Sequence, residues 1–574
     1  MSKGTIDMAM NVKGIAAAPG LAIGKVMWLR QQTVEVIEQF VEPNHIEQEL
    51  QRFEVAITIS SQEITELQAV TTKKLGEKEA EIFEAHREFL TDPSYVDEIR
   101  SRIHQKHESA AYACQQVTQE MAAMLRGLDN EYLQARATDI HDVGQRLLRH
   151  LTESDQEIKT ISSDKRIVLA EDLTPSDTVS LPEGIVGIAT MRGSVTGHAA
   201  ILARTLGIPM IVALGEALNA VQENDLMILD GKEGTLCVTP DEAMLLKTRA
   251  LMEGEKALAK EQKNRAADDA VTKDGQRIHV LANIGSLKDI ERAIEFGAEG
   301  VGLFRTEFLY LENTDWPSEQ QQYDVYRQVL SAFSNRPVVI RTLDIGGDKA
   351  LPYAPFDHEE NPFLGHRAIR FCLANPAIFK TQLRALLRAS VHGQLWIMFP
   401  MIETLDEIAA AKELVATCRQ ELEQEGTAVS KDYRIGMMVE IPAAAVMADQ
   451  FAKQVDFMSI GTNDLTQYTL AADRGNEKVA YLYDAFHPAV LRLIAMTGHA
   501  GQQQGIVVGM CGELAGDSLA TELLIGMGLT ELSMSAASIP AVKDKLRSLT
   551  TSEAKVKVPA ILDLGTASAI RAQL

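Results

Sequence analysis

The chain has 574 residues, more than one hydrophobic core can bury, and a length of about 150 residues per domain predicts three or four domains. Its composition, with 46% hydrophobic and 24% charged residues, is that of an ordinary globular protein. The net charge of -24 disfavours nucleic acid and anionic membranes as partners, and it favours a basic protein partner.

The first third of the chain combines strands with a long helical segment. Short strands around a Pro-Gly turn are predicted for residues 12–30. From about Pro43 to Thr152, apolar residues recur at helical spacing among many charges, which predicts a bundle of three or four antiparallel helices. Short apolar runs then alternate with helical pieces over residues 167–239. The bundle is therefore predicted to be an insertion in a smaller α/β domain.

A solvated linker helix is predicted after the α/β segment. Thr239 can act as its N-cap, Pro240 suits its first position, and Glu242 completes a capping box. The segment that follows, to about Asp268, is rich in Ala, Lys and Glu and has few large apolar residues. We expect this helix to join two halves that can move relative to each other.

From about Gln276 a strand–helix unit repeats. Eight strands separated by amphipathic helices over about 300 residues match a TIM barrel in number and size. The predicted strands are HVLANIG, GVGLFRTEF, PVVIRTLDIGG, LWIMFPMI, IGMMVEIP, DFMSIGTND, VVGMCGE and ELSMSAAS.

Several features favour a soluble cytoplasmic protein. The five cysteines are scattered without a CxxC pair, which argues against a disulfide framework and a thiolate zinc site. The N-terminal segment lacks the apolar core of a signal peptide, because Lys13, Pro19 and Gly20 interrupt it. The sequence contains no run of about 18 apolar residues, so no membrane span is predicted.

Polar side chains follow the predicted barrel strands, at the rim where TIM barrels carry their functional residues. A random set of strand ends would seldom combine arginines, carboxylates, amides and a thiol, although each residue alone could be part of a solvated rim. These residues are Asn283, Arg305, Arg341, Glu440, Asn463, Asp464 and Cys511.

The rim residues indicate a metal and a doubly anionic small molecule. Glu440 and Asp464 supply the hard oxygen ligands that Mg²⁺ prefers, and no histidine beside them suggests zinc. The arginines offer planar donors for a phosphate and a carboxylate, and Arg367 and Arg474 can add positive charge or form surface ion pairs. A lone cysteine is usually buried filler, but Cys511 at the rim can protonate an enolate released when phosphate leaves.

A histidine with a carrier role is suggested by the segment MRGSVTGHAAILARTLGIPMIVAL. A glycine-containing turn leads into a helix, which places His198 in the first turn, where free N–H groups and the helix dipole favour an anion. An imidazole nitrogen can carry a phosphoryl group covalently, and Arg204 can help to hold that group. An isolated histidine at a helix start is more often a cap or a packing residue, so this pattern alone is only suggestive.

Together these motifs resemble Enzyme I of the bacterial phosphotransferase system, the phosphoenolpyruvate–protein phosphotransferase family, over nearly the whole chain. Several of the matching stretches exceed eight residues and fall in the family's order. They are GIAAAPGLAIGK, EYLQARATDIHDVGQRLLRHL, TGHAAILAR, EGVGLFRTEFL, VIRTLDIGGDK, ENPFLGHRAIR, IMFPMI, VEIPAAA, SIGTNDLTQYTLAADRGN and MCGELAGD.

The resemblance implies a role for each matching position. His198 matches the phosphorylated histidine, Cys511 matches the proton donor to enolpyruvate, and Glu440 and Asp464 match the Mg²⁺ ligands. The positions that match phosphoenolpyruvate contacts are Arg305, Arg341, Asn463, Asp464 and Arg474. The resemblance also implies transfer of the phosphoryl group to the carrier protein HPr, docking of HPr on the helical insertion, and a homodimer formed through the barrel.

These expectations define an α/β protein with a C-terminal (β/α)₈ TIM barrel and an N-terminal swivelling α/β phosphohistidine domain that carries a helical bundle. Residues 1–34 and 153–239 are predicted to form the phosphohistidine domain, and residues 35–152 the carrier-binding insertion. Residues 240–270 are predicted to be the linker helix, and residues 271–574 the barrel that binds phosphoenolpyruvate and dimerises.

One stretch departs from the family pattern, which usually reads Gly-Gly-x-Thr-Ser-His. Here Ser194 replaces the second glycine, Val195 replaces a frequent arginine, and Gly197 replaces the serine next to His198. Gly197 loosens the turn and removes a hydrogen-bonding group, which puts the transfer rate or the acceptor in doubt. Thr196 remains and can hold the neutral tautomer of the histidine.

Other functions remain open at this point. A pyruvate–phosphate dikinase or phosphoenolpyruvate synthase would need an additional nucleotide-grasp domain, and the sequence has no GxxxxGK[ST] loop. A paralogue of Enzyme I kept for docking or regulation would explain the altered histidine turn but not the complete set of rim residues. A nitrogen-regulatory relative acting on a different carrier usually has an extra sensory domain, which the start of this chain lacks.

Overall fold

The computed structural model describes residues 10–29, 36–74, 77–126, 131–152, 165–182, 184–193, 195, 197–311, 313–346, 351, 353–354, 359–474, 476 and 479–574. Contacts divide the chain into two compact units, Met1–Glu255 and Lys256–Leu574. Each unit has its own hydrophobic core.

The first unit contains an eight-stranded mixed sheet. Its order is β1-β8-β7-β3-β4-β5-β6-β2, in which β3, β4, β5 and β6 run parallel and the other pairs are antiparallel. The strands predicted on both sides of the helical segment are confirmed. They are β1 (Met10–Lys13), β2 (Ile15–Ala18), β3 (Leu21–Leu29), β4 (Arg166–Ala170), β5 (Ile185–Thr190), β6 (Met210–Val212), β7 (Leu226–Asp230) and β8 (Thr235–Val238).

The helical segment between β3 and β4 has five helices in its described part, not the predicted three or four. The extra break comes from Asp92, whose carboxylate accepts the N–H of Ser94 at 2.8 Å ahead of Pro93 at the first helical position. His107 ends the same helix in the left-handed conformation, with φ 57°. The five helices are α1 (Ile46–Lys74), α2 (Glu77–Phe89), α3 (Pro93–Lys106), α4 (Ala110–Arg126) and α5 (Glu131–Thr152).

Two further helices of the first unit pack on this bundle. They are α6 (Pro175–Val179) and α7 (His198–Leu206). Val179 and Leu202 are buried in the same cluster as Phe53, Phe83 and Leu147 of the bundle. The helix that begins at His198 therefore shares a core with the helical segment.

A helix, α8 (Glu242–Asn264), lies within the predicted linker segment, but the predicted cap is wrong. The carboxylate of Asp241 accepts the N–H of Met244 at 2.7 Å, so Asp241 is the N-cap. Thr239 instead donates its N–H to the carbonyl oxygen of Leu226 and has φ 50°, so it still belongs to the strand end. None of the residues of α8, all of them described, is buried.

The second unit is the predicted TIM barrel. Eight parallel strands form a closed barrel, because β16 pairs with β9. They are β9 (His279–Ile284), β10 (Val301–Phe304), β11 (Pro337–Arg341), β12 (Gln394–Phe399), β13 (Arg434–Val439), β14 (Phe457–Ile460), β15 (Val507–Met510) and β16 (Glu531–Met534).

Helices follow the barrel strands and bury one face of each. They are α9 (Asp289–Glu295), α10 (Phe308–Leu311), α11 (Glu319–Ala332), α12 (Ala368–Ala374), α13 (Pro376–Ala389), α14 (Leu405–Gln424), α15 (Pro442–Val446), α16 (Ala448–Phe451), α17 (Thr462–Leu470), α18 (Pro488–Gln504), α19 (Thr521–Gly526), α20 (Ile539–Ser548), α21 (Thr551–Leu562) and α22 (Ala567–Arg571). Across the described residues, no helix combines the length and the apolar character that a membrane span needs.

Candidate active site

The carboxyl ends of β9, β10, β15 and β16, with the loops that follow them, line a cavity of about 500 Å³. Its lining includes Asn283 and Arg305, which end or follow β9 and β10, and Gly512 and Glu513, which follow β15. The predicted rim residues of the barrel therefore lie on the strand ends or in the loops that directly follow them, where TIM barrels place their sites.

Two of the predicted substrate arginines are buried and share one carboxylate. Arg341 Nη1 lies 3.1 Å from Asp344 Oδ2, and Arg367 Nη2 lies 2.9 Å from Asp344 Oδ1. Arg341 Nη2 also pairs with Glu307 Oε1 at 2.5 Å. Burial would lower the pKa of Arg341, but the carboxylates of Glu307 and Asp344 raise it well above its usual range. Both guanidinium groups are therefore charged and held in place before any ligand arrives.

The other two predicted arginines are exposed. The side chain of Arg305 makes no hydrogen bond or ion pair within the described part of the chain, and Arg474 Nη2 lies 3.7 Å from Asp464 Oδ1. Because these side chains are only weakly held, they can turn toward an anion that enters the cavity. The site thus combines two fixed cations with two adaptable ones.

The predicted metal ligands lie in a buried region with an excess of negative charge. Glu440 is 1% exposed and accepts the N–H of Met401 at 2.6 Å. Burial, together with the carboxylates of Asp464 and Asp344, raises the pKa of Glu440 to about 8. Asp464 Oδ1 is buried and has no hydrogen-bond partner in the described residues.

This arrangement fits a divalent cation held by two protein carboxylates. A cation would relieve the repulsion at Glu440 and satisfy the orphan oxygen of Asp464. Gly461 leaves the space beside them open, since a Cβ atom there would lie 3.0 Å from Glu440 Oε2. No group of three or more Asp, Glu, His or Cys side chains suited to a metal occurs in the described ranges.

Asn463 links the start of α17 to the loop that follows β15. Its side-chain oxygen accepts the N–H of Glu513 at 3.2 Å, and its backbone oxygen accepts the hydroxyl of Tyr483 at 3.1 Å. Its amide nitrogen also donates to Glu513 Oε1 at 3.5 Å, so the side chain is held beside a residue that lines the cavity.

Cys511 lies at the top of the barrel interior and is 3% exposed. Asn283 Nδ2 donates to the Cys511 carbonyl oxygen at 2.9 Å, and the thiol donates to the carbonyl oxygen of Ile460 at 3.8 Å. Burial raises the pKa of Cys511 to about 11. The thiol therefore carries its proton at neutral pH, as a general acid must.

His198 begins α7 in the first unit, as the sequence predicted, after Gly197, which provides no side-chain cap. The side chain of His198, and Ser194 and Thr196 entirely, lie outside the described residues. Arg204 donates to the carbonyl oxygen of Val195 at 2.5 Å, so its guanidinium group ties the turn ahead of the histidine to α7.

Two residues of the candidate site were not predicted from the sequence. Glu307 and Asp344 lie two or three residues beyond the strand ends that Arg305 and Arg341 mark, within RTEF and RTLDIGG. Both are buried, and both pair with Arg341. The sequence does show a carboxylate two or three residues after an arginine at a strand end. Only the fold shows that this carboxylate forms an ion pair with Arg341.

Three family models match the chain. Residues 259–551 match the PEP-binding domain of PEP-utilising enzymes, residues 13–136 match their N-terminal domain, and residues 162–234 match their mobile domain.

Curated relatives match over nearly their full length. A protein of Priestia megaterium is 44% identical over 97% of this chain and 97% of its own length. A protein of Geobacillus stearothermophilus is 45% identical over 98% of this chain and 97% of its own. A protein of Bacillus subtilis (strain 168) is 43% identical over 97% of both chains. Each of the three is named phosphoenolpyruvate-protein phosphotransferase.

Proposed function

Because this chain belongs to the phosphoenolpyruvate-protein phosphotransferase family, the Enzyme I proteins, we propose that it uses its own His198 to carry the phosphoryl group. The chain is an enzyme of the phosphotransferase system that transfers the phosphoryl group of phosphoenolpyruvate to a protein. In the proposed reaction the phosphoryl group passes to His198, then to a histidine of the carrier HPr, and pyruvate is released. This step would begin the sugar phosphotransferase system.

The observation that carries the substrate assignment is the pair of buried arginines, Arg341 and Arg367, held by Asp344 at the mouth of the barrel. Phosphoenolpyruvate bears a phosphate and a carboxylate on neighbouring atoms, and planar guanidinium donors suit both groups. In our proposal the exposed Arg305 and Arg474 close on the phosphoryl group after it enters. Asn463 completes the contacts from the edge of the cavity.

Glu440 and Asp464 are proposed to hold Mg²⁺, with substrate oxygens and water as the remaining ligands. The ion would neutralise charge on the transferring phosphoryl group. The raised pKa of Glu440 and the orphan oxygen of Asp464 support this assignment. Cys511 is proposed to protonate the enolate of pyruvate that remains after transfer.

The carrier is proposed to bind the helical segment of the first unit. α2 contains five glutamates in thirteen residues, EKEAEIFEAHREF, and the whole chain carries a net charge of -24. Opposite charge on a basic carrier would accelerate and orient its association. Leu202 of α7 packs against the bundle core. The proposed carrier-binding segment and the helix that begins at His198 therefore share one hydrophobic core.

A homodimer formed through the barrel is proposed from exposed apolar side chains on the barrel helices and the turns beside them. Val446, Met447 and Met496 lie on or next to α15, α16 and α18, and both α15 and α16 pack on α18. Apolar groups collected on one region of a surface indicate a protein interface. The side chains are Leu364, Leu405, Val446, Met447 and Met496. A cytoplasmic location is proposed as well.

An alternative within the family is a paralogous or regulatory Enzyme I that acts on a different carrier. The observation that favours it is the turn before His198, where Val195 and Gly197 replace the usual residues. The dikinase alternative is not supported, because the relatives named above match over 97% of their own length without an additional domain.

Phosphoryl-labelled phosphoenolpyruvate with Mg²⁺ and no ATP tests the proposal. We expect acid-labile label on the wild-type chain, release of pyruvate, and no label on His198→Gln or Glu440→Gln. His499→Gln, which removes an exposed histidine from the barrel, should label normally. Passage of the label to HPr, or only to another candidate carrier, separates the main proposal from its alternative. Normal labelling of His198→Gln would refute the histidine assignment.

A further inference from the structure

Ser459 of β14 is a buried serine that has no role in the proposed mechanism. Side chains alternate along a strand, so Ser459 of β14 shares its face with Phe457, which lies in the interior cluster together with Met438 and Cys511. The next positions, Met458 and Ile460, belong instead to the cluster between strands and helices. Ser459 therefore points into the barrel, below the rim.

The residues next to Ser459 on the neighbouring strands offer its hydroxyl no hydrogen-bond partner. Ser459 pairs with Met438 on β13 and with Gly509 on β15, so neither neighbour in register brings an oxygen or nitrogen side-chain atom. Ser459 is 1% exposed, and its hydroxyl makes no hydrogen bond of normal geometry within the described part of the chain. An unpaired buried hydroxyl costs folding free energy. We therefore expect the Ser459 hydroxyl to gain a hydrogen-bond partner during the reaction.

The carboxyl of Glu531 lies beside Gly509, and the polar group that Ser459 acts on is the thiol of Cys511. Cys511 lies two residues beyond Gly509, the register partner of Ser459, and its N–H donates to the carbonyl oxygen of Ile460 at 3.0 Å. The proximity of the Ser459 side chain opposes the effect of burial on the pKa of Cys511 and lowers it. In the resting protein the thiol donates to the Ile460 carbonyl oxygen, so the sulfur itself remains able to accept.

We infer that Ser459 is a positioning residue that donates a hydrogen bond to the Cys511 thiolate left when the thiol protonates the enolate of pyruvate. This inference rests on the proposed role of Cys511 as the acid. A hydroxyl donates a stronger hydrogen bond to a thiolate than to a neutral thiol. The hydrogen bond from Ser459 therefore strengthens as negative charge develops on the sulfur of Cys511. A carbonyl oxygen such as that of Ile460 cannot stabilise that charge, because it only accepts.

The proton transfer balances without an additional reagent. The S–H bond of Cys511 breaks, and its electron pair stays on sulfur. The carbon–carbon π pair of the enolate takes the proton at C3, while an oxygen lone pair forms the carbonyl bond of pyruvate. Ser459 keeps its own proton throughout, and the thiolate recovers a proton from water before the next turnover.

Exchange of the methyl protons of pyruvate with deuterium tests this inference without His198 or phosphoryl transfer. With Mg²⁺ and pyruvate in D₂O, followed by proton NMR, the wild-type chain should catalyse the exchange and Cys511→Ala should not. Ser459→Ala should slow the exchange about 10- to 100-fold, as loss of a hydrogen bond to a charged group implies. The KM for pyruvate should stay unchanged, and Ser459→Thr, which keeps the hydroxyl, should restore most of the rate.

Ser60→Ala is the matched control, because Ser60 is also buried with an unpaired hydroxyl, in α1 of the first unit. It should exchange at the wild-type rate. Thermal unfolding of Ser459→Ala should occur at the wild-type temperature or above it, since the substitution removes an unpaired buried hydroxyl and no hydrogen bond of normal geometry. Wild-type exchange by Ser459→Ala beside an inactive Cys511→Ala would overturn the inference alone. Exchange by Cys511→Ala, or none by the wild type, would overturn the role of Cys511 and the inference with it.

Discussion

Buried carboxylates of the barrel differ in the charges around them. Some have an excess of negative charge nearby and can bind a cation, whereas others are already paired with a cation. Near Glu440 the carboxylates of Asp464 and Asp344 raise the pKa, so negative charge is in excess. Glu299 is the opposite case: burial would raise its pKa, but a hydrogen bond with His279 and the charge of Lys543 bring it down to about 2. Glu531 belongs to neither group, because it is buried at the start of β16 without an ion pair in the described residues.

Glu531 should make the stability of the barrel depend on pH. Burial raises its pKa from 4.5 to about 7, although His279 and Arg434 act in the opposite direction. Between these values the folded chain binds a proton that the unfolded chain lacks, so the free energy of unfolding should fall as pH rises from 4.5 to about 7. The loss should be on the order of 3 kcal/mol.

Chemical unfolding across this pH window, compared between the wild-type chain and Glu531→Gln, measures the effect. The variant keeps the shape of the protonated acid and should be the more stable form at neutral pH, with a flatter profile. Equal pH profiles for the two chains would mean that Glu531 is not the group that titrates.

At the scale of elements, the residues at the two ends of α8 determine where this helix begins and how it is attached to the barrel. α8 begins after Asp241, so no residue of this helix enters either core. At its far end the backbone is anchored, because Lys543 of α20 donates to the carbonyl oxygens of Ala266 at 2.9 Å and Asp268 at 3.2 Å. One end of the linker thus continues from a sheet, and the other is fixed to the barrel.

Removing the anchor at Lys543 should destabilise the barrel strongly. Lys543 is 1% exposed, and its Nζ atom lies 3.0 Å from Glu299 Oε1. Lys543→Met leaves that carboxylate buried without its nearest cation and should cost about 3–5 kcal/mol of unfolding free energy. The added change Glu299→Gln should recover part of the loss.

A double-mutant cycle by denaturant unfolding measures this coupling. Lys555→Met, at an exposed lysine of α21, is the control and should change stability by no more than about 0.5 kcal/mol. Additive effects of the two substitutions at Lys543 and Glu299 would show that the pair is not coupled.

The charge of α2 should govern binding of the carrier. Glu84 and Glu88 are exposed on this helix, so replacing both with lysine should weaken binding of a basic carrier and reduce its dependence on salt. Glu253→Lys reverses an equally exposed charge on α8 and should leave binding unchanged. Calorimetric titration at increasing ionic strength separates these outcomes, and salt-independent binding of the wild-type chain would contradict the prediction.

At the scale of the whole molecule, the chemistry requires that one imidazole reach two phosphorus atoms. The proposed histidine and the proposed substrate residues belong to different compact units, which the exposed helix α8 joins. Attack requires an approach of about 3–3.5 Å, and the carrier must later reach the same histidine. We therefore propose that the histidine domain swivels between two docked positions during turnover.

Single-molecule energy transfer between the two units measures this movement. The native cysteines are all buried, so labels can be attached at Glu233→Cys in the first unit and Glu553→Cys in the second. We expect two distance populations whose ratio shifts when phosphoenolpyruvate and Mg²⁺ are added, and shifts back when the carrier is added. One unchanged distance throughout turnover would contradict the swivelling domain.

Local pattern by itself determined the type and order of the elements, because side-chain periodicity and turn residues act between near neighbours. The eight barrel strands, the α/β strands around the helical segment and the start of α7 at His198 all followed from it, and the rim residues followed from their place after strands. The helix count and the cap of α8 did not, because Asp92 and Asp241 compete with other capping residues nearby. Only the tertiary structure decided that Asp344 holds two arginines, that carboxylates crowd Glu440, and that Ser459 faces Cys511. Those contacts join residues far apart in the chain, and only closure of the barrel brings them together.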